Sequence, residues 1–277
     1  MRSKTKSLRI FLTAVGTLLA AALLLWMIYP NSSAKKSSGK PASKIENPDN
    51  LLLQSARKGD ALAAAYYLSK GGNINCRDSA KRTPLILAAA AGHNDTVVLL
   101  LQSGAKINSL DVLNNCALAM AAGGGHINTI RSLLRYGADV NCAWKHDRSA
   151  LQMAAENGHT EIVALLIKSG ADVNKTAIKG ESALVKALQH NHIATALQLL
   201  ESGASVKAAD KNGNTVLMLS INTGSVELIS KILGTRQNIF YHTNNAGENV
   251  FDIAEKLNNQ QIIKLLKEYK QVFAEEK

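Results

Sequence analysis

Apolar residues recur along most of the chain at the spacing of amphipathic helices. Val97, Leu100 and Leu101 are separated by three and four positions, which places them on one helical face. A string with its own leucine and a pair of small residues, such as Ala88 and Ala89, comes before them. Small side chains let a second helix approach closely, so the pattern predicts two short antiparallel helices.

This helix-pair pattern repeats with a period of 33 residues. Five strings begin in register at Thr83, Cys116, Ser149, Ser182 and Thr215. Weaker copies begin at Asn50 and at Asn249, the second displaced by one extra residue. Seven units, numbered 1 to 7 below, lie near 50–82, 83–115, 116–148, 149–181, 182–214, 215–248 and 249–273.

A glycine follows the second predicted helix in four of the units. These glycines are Gly104, Gly137, Gly170 and Gly203. Glycine adopts the left-handed conformation of a helix C-cap at little cost. A single pair of short helices cannot bury its apolar face alone, so neighbouring pairs must stack. The sequence therefore predicts an all-α solenoid with protruding turns over residues 50–273.

The repeated strings resemble the ankyrin repeat family. The resemblance rests on TPLILAA at 83–89, on Gly-His at 92–93, 125–126 and 158–159, and on GADVN at 137–141 and 170–174. It implies helix pairs with a protruding turn, and protein partners that lie across the turns and the inner helices. The histidine of the family's start motif is replaced by Ile86, Ala119, Gln152, Val185 and Met218. We therefore expect stability to rest on stacking.

The N-terminal segment has the pattern of a membrane anchor. Residues 1–9 form a basic flank, and residues 10–29 then run for 20 residues without a charge, which is long enough to span a bilayer. Trp26 and Tyr29 lie at the far end, where aromatic rings favour the membrane–water boundary. A Ser/Lys/Pro-rich stretch at 30–49 reads as a flexible tether. The alternatives to a retained transmembrane helix are a cleavable signal, with small residues at Ser32 and Ala34, and a buried core helix.

The orientation of this predicted anchor depends on more than its flanking charges. Four basic residues precede the span and four follow it, so the positive-inside rule gives a tie. The free N-terminal amine and the signal-like order of basic then apolar residues favour a cytoplasmic N-terminus. We therefore expect a single-pass membrane protein with its repeats on the exported side, and a secreted or periplasmic protein is the alternative.

The formal charge of +11 does not indicate a nucleic-acid-binding face. Residues 1–46 hold 8 Lys/Arg and 1 Asp/Glu, a net of +7, so the remaining 24 basic and 20 acidic residues leave only +4. Because the excess is concentrated at one end, the repeats carry no broad surface for tracking phosphates. We therefore expect no nucleic-acid partner.

The sequence contains no catalytic or cofactor-binding pattern. Four of the seven histidines share one repeat position and are interpreted as structural, namely His93, His126, His159 and His192. Cys76, Cys116 and Cys142 are separated by 40 and 26 residues, which matches no zinc or redox motif, and their odd number argues against a disulfide framework. Phosphate-loop, dinucleotide, metalloprotease and serine-hydrolase strings are missing. We expect no enzyme activity, metal, cofactor or small-molecule substrate.

Large apolar and basic residues cluster in three consecutive predicted turns. The candidate partner-binding residues are Val112, Leu113, Trp144, Lys145, His146, Arg148, Ile178 and Lys179. Trp144 stands where other units carry Asp78, Asp111 and Asp210. Exposed apolar patches and Trp or Arg side chains are enriched at binding sites. We hypothesise that Trp144 and Leu113 insert into an acidic and apolar protein segment that the basic residues steer; the alternative is that these side chains pack back onto neighbouring turns.

These features favour a non-enzymatic, monomeric scaffold that holds a protein partner near a membrane. A secreted repeat protein or effector with a cleaved N-terminus is the second hypothesis. A mature chain that begins near Lys35 would select that second hypothesis over a retained anchor.

Overall fold

The computed structural model describes residues 47–142, 148–177, 180–235, 240 and 242–275. All of them belong to one compact unit, Asn47–Lys277. The predicted basic flank 1–9, the predicted membrane helix 10–29 and most of the tether 30–49 lie outside the described residues. Within the described ranges, no helix combines the length and apolar character that crossing a bilayer requires.

Seven pairs of helices follow one another along the described part of the chain. The fourteen helices are α1 (Pro48–Lys58), α2 (Ala61–Ser69), α3 (Pro84–Ala90), α4 (Asn94–Gln102), α5 (Ala117–Gly123), α6 (Ile127–Arg135), α7 (Ala150–Glu156), α8 (Thr160–Lys168), α9 (Ala183–Gln189), α10 (Ile193–Glu201), α11 (Val216–Thr223), α12 (Val226–Leu233), α13 (Val250–Lys256) and α14 (Gln260–Glu275). The same residues form no strand, only an isolated bridge between Ala209 and Thr215. The predicted all-α repeat solenoid is confirmed.

Short polar side chains fix where the first helix of most units begins. In α3, the Thr83 hydroxyl accepts a hydrogen bond from the Ile86 backbone N–H at 3.3 Å. An N-cap of this kind contributes about 1 kcal/mol to helix stability. Equivalent caps come from Asn47, Ser149, Ser182, Thr215 and Asn249. The exception is Cys116, the N-cap residue of α5, whose side chain makes no capping bond.

The core consists of the apolar columns that the sequence pattern predicts. Each first helix packs against the first helix of the next unit, and most second helices do the same. Leucines of successive second helices are fully buried at Leu100, Leu133, Leu166 and Leu199. Removing one such side chain from water contributes about 2 kcal/mol, and most of that burial depends on the neighbouring unit.

Histidines tie units 2 to 5 each to the preceding unit. His126 Nε2 donates a hydrogen bond to the carbonyl oxygen of Ala90 at 3.1 Å, because a carbonyl can only accept. Gly92 lies against the same ring with φ 75°, and an added Cβ would be 2.4 Å from its Nδ1. Equivalent bonds join His93 to Arg57, His159 to Gly123 and His192 to Glu156. These four histidines therefore have a structural function.

Candidate partner-binding surface

In four of the units, one polar side chain holds the protruding turn in shape. The Asp111 carboxylate accepts hydrogen bonds from the backbone N–H groups of Leu113 at 2.8 Å and Asn115 at 2.9 Å. Its second oxygen accepts from the Asn115 side-chain amide at 3.2 Å. We call this arrangement the turn clasp. It leaves the side chains of the intervening residues free to point away from the helices.

Two apolar residues occupy the tip of the turn that Asp111 holds. The side chain of Leu113 is 70% exposed and that of Val112 is 49% exposed. The Val112 backbone N–H donates to the carbonyl oxygen of Ala80 at 3.0 Å, so this turn is also tied to the preceding one. An exposed leucine on a doubly fixed turn does not pack back onto its neighbours. It presents apolar surface to solvent at a defined position.

The same clasp recurs in other turns. Asp78 accepts from the N–H groups of Ala80 and Arg82, and its second oxygen pairs with the Arg82 guanidinium at 2.8 Å. Burial acts to raise the pKa of the Asp78 carboxyl, but the bonds and charge of Arg82 outweigh it and lower the pKa below its ordinary value. Asp210 and Asn244 form equivalent clasps at 210–214 and 244–248.

The two central turns lack the clasping side chain. Trp144 and Ala177 occupy the positions that correspond to Asp111. Ala177 is buried. It still makes the backbone hydrogen bond seen in the clasped turns, because its N–H donates to the Glu181 carbonyl oxygen at 3.0 Å. The sequence-predicted residues Trp144, Lys145, His146, Ile178 and Lys179 lie outside the described residues.

Arg148 is the first described residue after 142, and it is already paired. Its Nη1 lies 2.5 Å from Oε2 of Glu156, and His190 Nε2 lies 3.7 Å from the other carboxylate oxygen. The Arg148 side chain is about half exposed, so it can still reach a partner. Sequence reasoning treated Arg148 as a free steering charge and missed Glu156, because the two residues belong to different ends of the same helix region. The charge of Arg148 is therefore largely offset.

A second acidic side chain, that of Glu181 just before α9, is also neutralised. Glu181 Oε2 lies 2.7 Å from Lys186 Nζ, and both side chains are mostly buried. Burial acts to raise the pKa of the Glu181 carboxyl, but the hydrogen bond and charge of Lys186, with help from Gln189 and Lys211, lower it below its ordinary value. The carboxylate remains ionised and paired, so it does not repel an acidic partner.

Gln152 binds residues on both sides of Ala177 in unit 4, where the clasping aspartate is replaced. Its side chain, 1% exposed, accepts from the Ser149 N–H at 2.8 Å and donates to the carbonyl oxygens of Lys175 at 3.0 Å and Glu181 at 2.8 Å. The expectation that the residues replacing the start-motif histidine act only through stacking is wrong at this position. The signal was present in the sequence, because Gln152 is the one polar residue in a column of Ile, Ala, Val and Met.

No group of three or more His, Cys, Asp or Glu side chains capable of holding a metal ion occurs among the residues that the structure describes. Stacked helix pairs with clasped turns and an exposed apolar tip instead define a repeat protein whose surface suits protein recognition. A family model described as "Ankyrin repeats (3 copies)" matches residues 52–143 and 142–210, which together cover more than half of the chain. The chain belongs to the ankyrin repeat family, whose repeats are general protein–protein interaction modules.

Solved structures agree with this assignment. The crystal structure of the human ASB11 ankyrin repeat domain is similar, with a TM-score of 0.65 and 25% identity over 73% of this chain and 90% of that chain. In total 585 solved chains match, so the fold by itself selects no particular partner. A comparison with curated proteins found no match.

Proposed function

We propose that this protein is a membrane-tethered, monomeric scaffold whose repeat array captures a protein partner through its turn tips and inner helices. The observation that carries the proposal is the exposed Leu113 on a turn fixed by Asp111 and by the bond from Val112 to Ala80. A pre-ordered turn loses little conformational entropy when a partner binds, so its apolar tip contributes fully to affinity.

The partner segment that best fits this surface is acidic with interspersed apolar residues. Leu113 and Val112 supply the exposed apolar contact, and Trp144 and Ile178 extend it along the following turns in our proposal. The acidic side chains of Glu156 and Glu181 are both paired with bases, which leaves Lys145 and Lys179 as the steering charges. Opposite charge on the partner accelerates association and fixes its orientation.

A matched pair of leucines tests the location of the binding surface. Leu62 on α2 is 67% exposed, almost the same as Leu113, but it lies on a second helix rather than on a turn. We expect Leu113→Asp to reduce capture of partner proteins from gently solubilised membranes, and Leu62→Asp to leave capture unchanged. Equal capture by the wild type and Leu113→Asp, with both variants folded by circular dichroism, would remove the turn tips from the proposal.

Residues 10–29 are the proposed anchor. The uncharged run of 20 residues with Trp26 and Tyr29 at one end supports a retained transmembrane helix. An anchored protein stays with membranes after alkaline extraction, and Leu19→Arg should reduce that retention because a charge at the middle of a span is costly. Release of the wild-type chain by alkali would contradict the anchor.

The second candidate is a secreted protein with a cleaved signal, favoured by the small residues Ser32 and Ala34 after the apolar run. N-terminal sequencing of the mature protein separates the two candidates, since cleavage would give a chain that begins near Lys35. Protease accessibility of a C-terminal tag on intact cells tests the proposed exported location of the repeats. A protected tag would place them on the cytoplasmic side.

A further inference from the structure

Two cysteines of unit 3 lie in contact inside the array. The Cys116 thiol donates a hydrogen bond to the carbonyl oxygen of Cys142 at 3.4 Å, and the two thiols lie close enough for each to shift the pKa of the other. Both are buried, with exposed fractions of 1% for Cys116 and 8% for Cys142. The spacing of 26 residues matches no zinc or redox motif and the odd number of cysteines argued against a disulfide framework, but the fold brings these two residues together.

The repeat architecture explains this contact. The contact joins the N-cap residue of the first helix in unit 3 to the residue 26 positions later. The corresponding positions in units 2, 4 and 5 hold Thr83 with Ser109, Ser149 with Lys175, and Ser182 with Ala208. Among units 2 to 5, only unit 3 has a cysteine at both positions.

Cys116 is also a weak N-cap residue for α5. Thr83, Ser149, Ser182 and Thr215 occupy the equivalent position, and each accepts a capping hydrogen bond through its side-chain oxygen. The Cys116 side chain makes no such bond, so α5 forgoes about 1 kcal/mol of N-cap stabilisation. The thiol at this position instead faces Cys142.

We propose that Cys116 and Cys142 are a modification site, at which an intramolecular disulfide forms when the protein meets a disulfide oxidant. The bond would join Cys116, which follows the turn held by Asp111, to Cys142 in the same unit, and so would cross-link the start of α5 to the chain that leaves α6. Disulfides persist in exported compartments. Formation in the cell rests on the proposed exported location, whereas formation in the purified protein does not.

The reaction is ordinary thiol–disulfide exchange. One cysteine thiolate attacks a sulfur of an oxidant such as oxidised glutathione and releases one glutathione thiolate, leaving a mixed disulfide. The second cysteine thiolate attacks the protein sulfur of that mixed disulfide, forms the Cys116–Cys142 bond and releases the second glutathione. Two electrons pass from the cysteine pair to the oxidant, and the two thiol protons end on the released glutathione.

The acidity of the pair suits this exchange. The interaction with the Cys142 side chain lowers the pKa of the Cys116 thiol although burial acts to raise it, so this thiolate forms more readily than that of an isolated buried cysteine. Cys76 provides an internal control, because burial followed by the nearby Asp49 charge raises the pKa of its thiol to about 11. Its sulfur contacts the Asp49 carbonyl oxygen and no second thiol. Cys76 should remain reduced.

Trypsin separates the three cysteines without further engineering. Cys76 falls in the peptide 71–77, Cys116 in 107–131 and Cys142 in 136–145. The reduced full-length protein, purified in detergent, is equilibrated with an excess of oxidised over reduced glutathione and unfolded in acid. Its free thiols are then alkylated, and the tryptic peptides are analysed by mass spectrometry without reduction. We expect 107–131 linked to 136–145, loss of their alkylated forms, and alkylated 71–77.

The peptides of the oxidised protein, the serine variants and the alkylation of intact cells each test the proposal. A protein in which 107–131 and 136–145 are mainly alkylated or glutathionylated would overturn it, as would linkage of 71–77 to either peptide at a similar level. Cys116→Ser restores the residue type of Ser149 and Ser182 and so should fold, and it should abolish the linked peptide while Cys76→Ser retains it. Alkylation of intact cells reports the location separately: a reduced pair in cells, with a linked pair in the oxidised purified protein, contradicts the exported location and supports the disulfide.

Discussion

The most informative perturbation of the array itself is Gln152→Met. Gln152 is the only polar residue in its repeat column in units 2 to 6, and its side chain joins the start of α7 to the carbonyl oxygens of Lys175 and Glu181. Methionine has nearly the same volume and occupies the equivalent position at Met218. The change therefore removes hydrogen bonds and leaves the packing nearly intact.

The expected cost follows from the groups that lose their partner. They are the carbonyl oxygens of Lys175 and Glu181, because a methionine sulfur can still accept from the Ser149 N–H as that of Met218 accepts from the Thr215 N–H at 3.5 Å. A net hydrogen bond contributes about 0.5–1.5 kcal/mol, and a buried group left unpaired costs about 1–3 kcal/mol. The Glu181 carbonyl keeps its bond from Ala177, and Lys175 lies near solvent. We therefore expect Gln152→Met to lower the free energy of unfolding by about 2–4 kcal/mol.

Urea denaturation of the full chain in detergent, followed by circular dichroism, measures this free energy. Ile86→Met is the matched control, because Ile86 occupies the same repeat position, is fully buried and carries no polar group. A conservative apolar exchange of this kind costs less than about 1.5 kcal/mol. If the two variants lost the same free energy, the hydrogen bonds of Gln152 would not hold the turn and this reasoning would be refuted.

Two further predictions concern acid stability and backbone strain. Because the folded-state pKa of Glu181 is lowered, its pairing with Lys186 stabilises the protein above the ordinary glutamate pKa of 4.5, and this stabilisation is lost as the pH falls through the lower folded value. Urea midpoints measured from pH 6 to 3 should fall less steeply for Glu181→Gln than for the wild type. Gly92→Ala should destabilise more than Gly104→Ala in thermal melts: both glycines have positive φ, but only at Gly92 would the new Cβ collide with His126. Equal melting temperatures of Gly92→Ala and Gly104→Ala would show that the His126 ring moves aside at no cost in free energy.

Local features of the fold could be predicted from the sequence because each depends on residues close together in the chain. Leu100 and Leu101 mark a helical face, and Gly104 marks the end of that helix. The constant period then carries these local features along the array. A repeat position shared by His93 and its counterparts likewise indicated a structural function, which the inter-unit hydrogen bonds explain.

Pairings that depend on the stacking geometry could not be predicted. The column of Asp78, Asp111 and Asp210 was visible, but its function in clasping the turn depends on the backbone conformation of that turn. The contact between Cys116 and Cys142 depends on the path of the chain over 26 residues, and sequence spacing rules do not describe it.

The candidate binding surface was predictable only in part. An exposed apolar residue at a turn, such as Leu113, follows from the repeat position, because the scaffold places no constraint there. The pairing of Arg148 with Glu156 reduces the positive charge of the candidate surface. It could not be predicted, because it depends on how a residue just before α7 lies relative to the last residue of that helix. The contributions of Trp144 and Ile178 stay predictions.

Site-specific photocrosslinking tests most directly whether the clasped turns capture a protein. A benzoylphenylalanine side chain replaces Leu113 in one full-length variant and Leu62 in another, and both are irradiated in intact cells. Our account predicts a covalent adduct with a second protein at position 113 and none at position 62. Adducts at position 62 alone, or equal adducts at both positions, would contradict it.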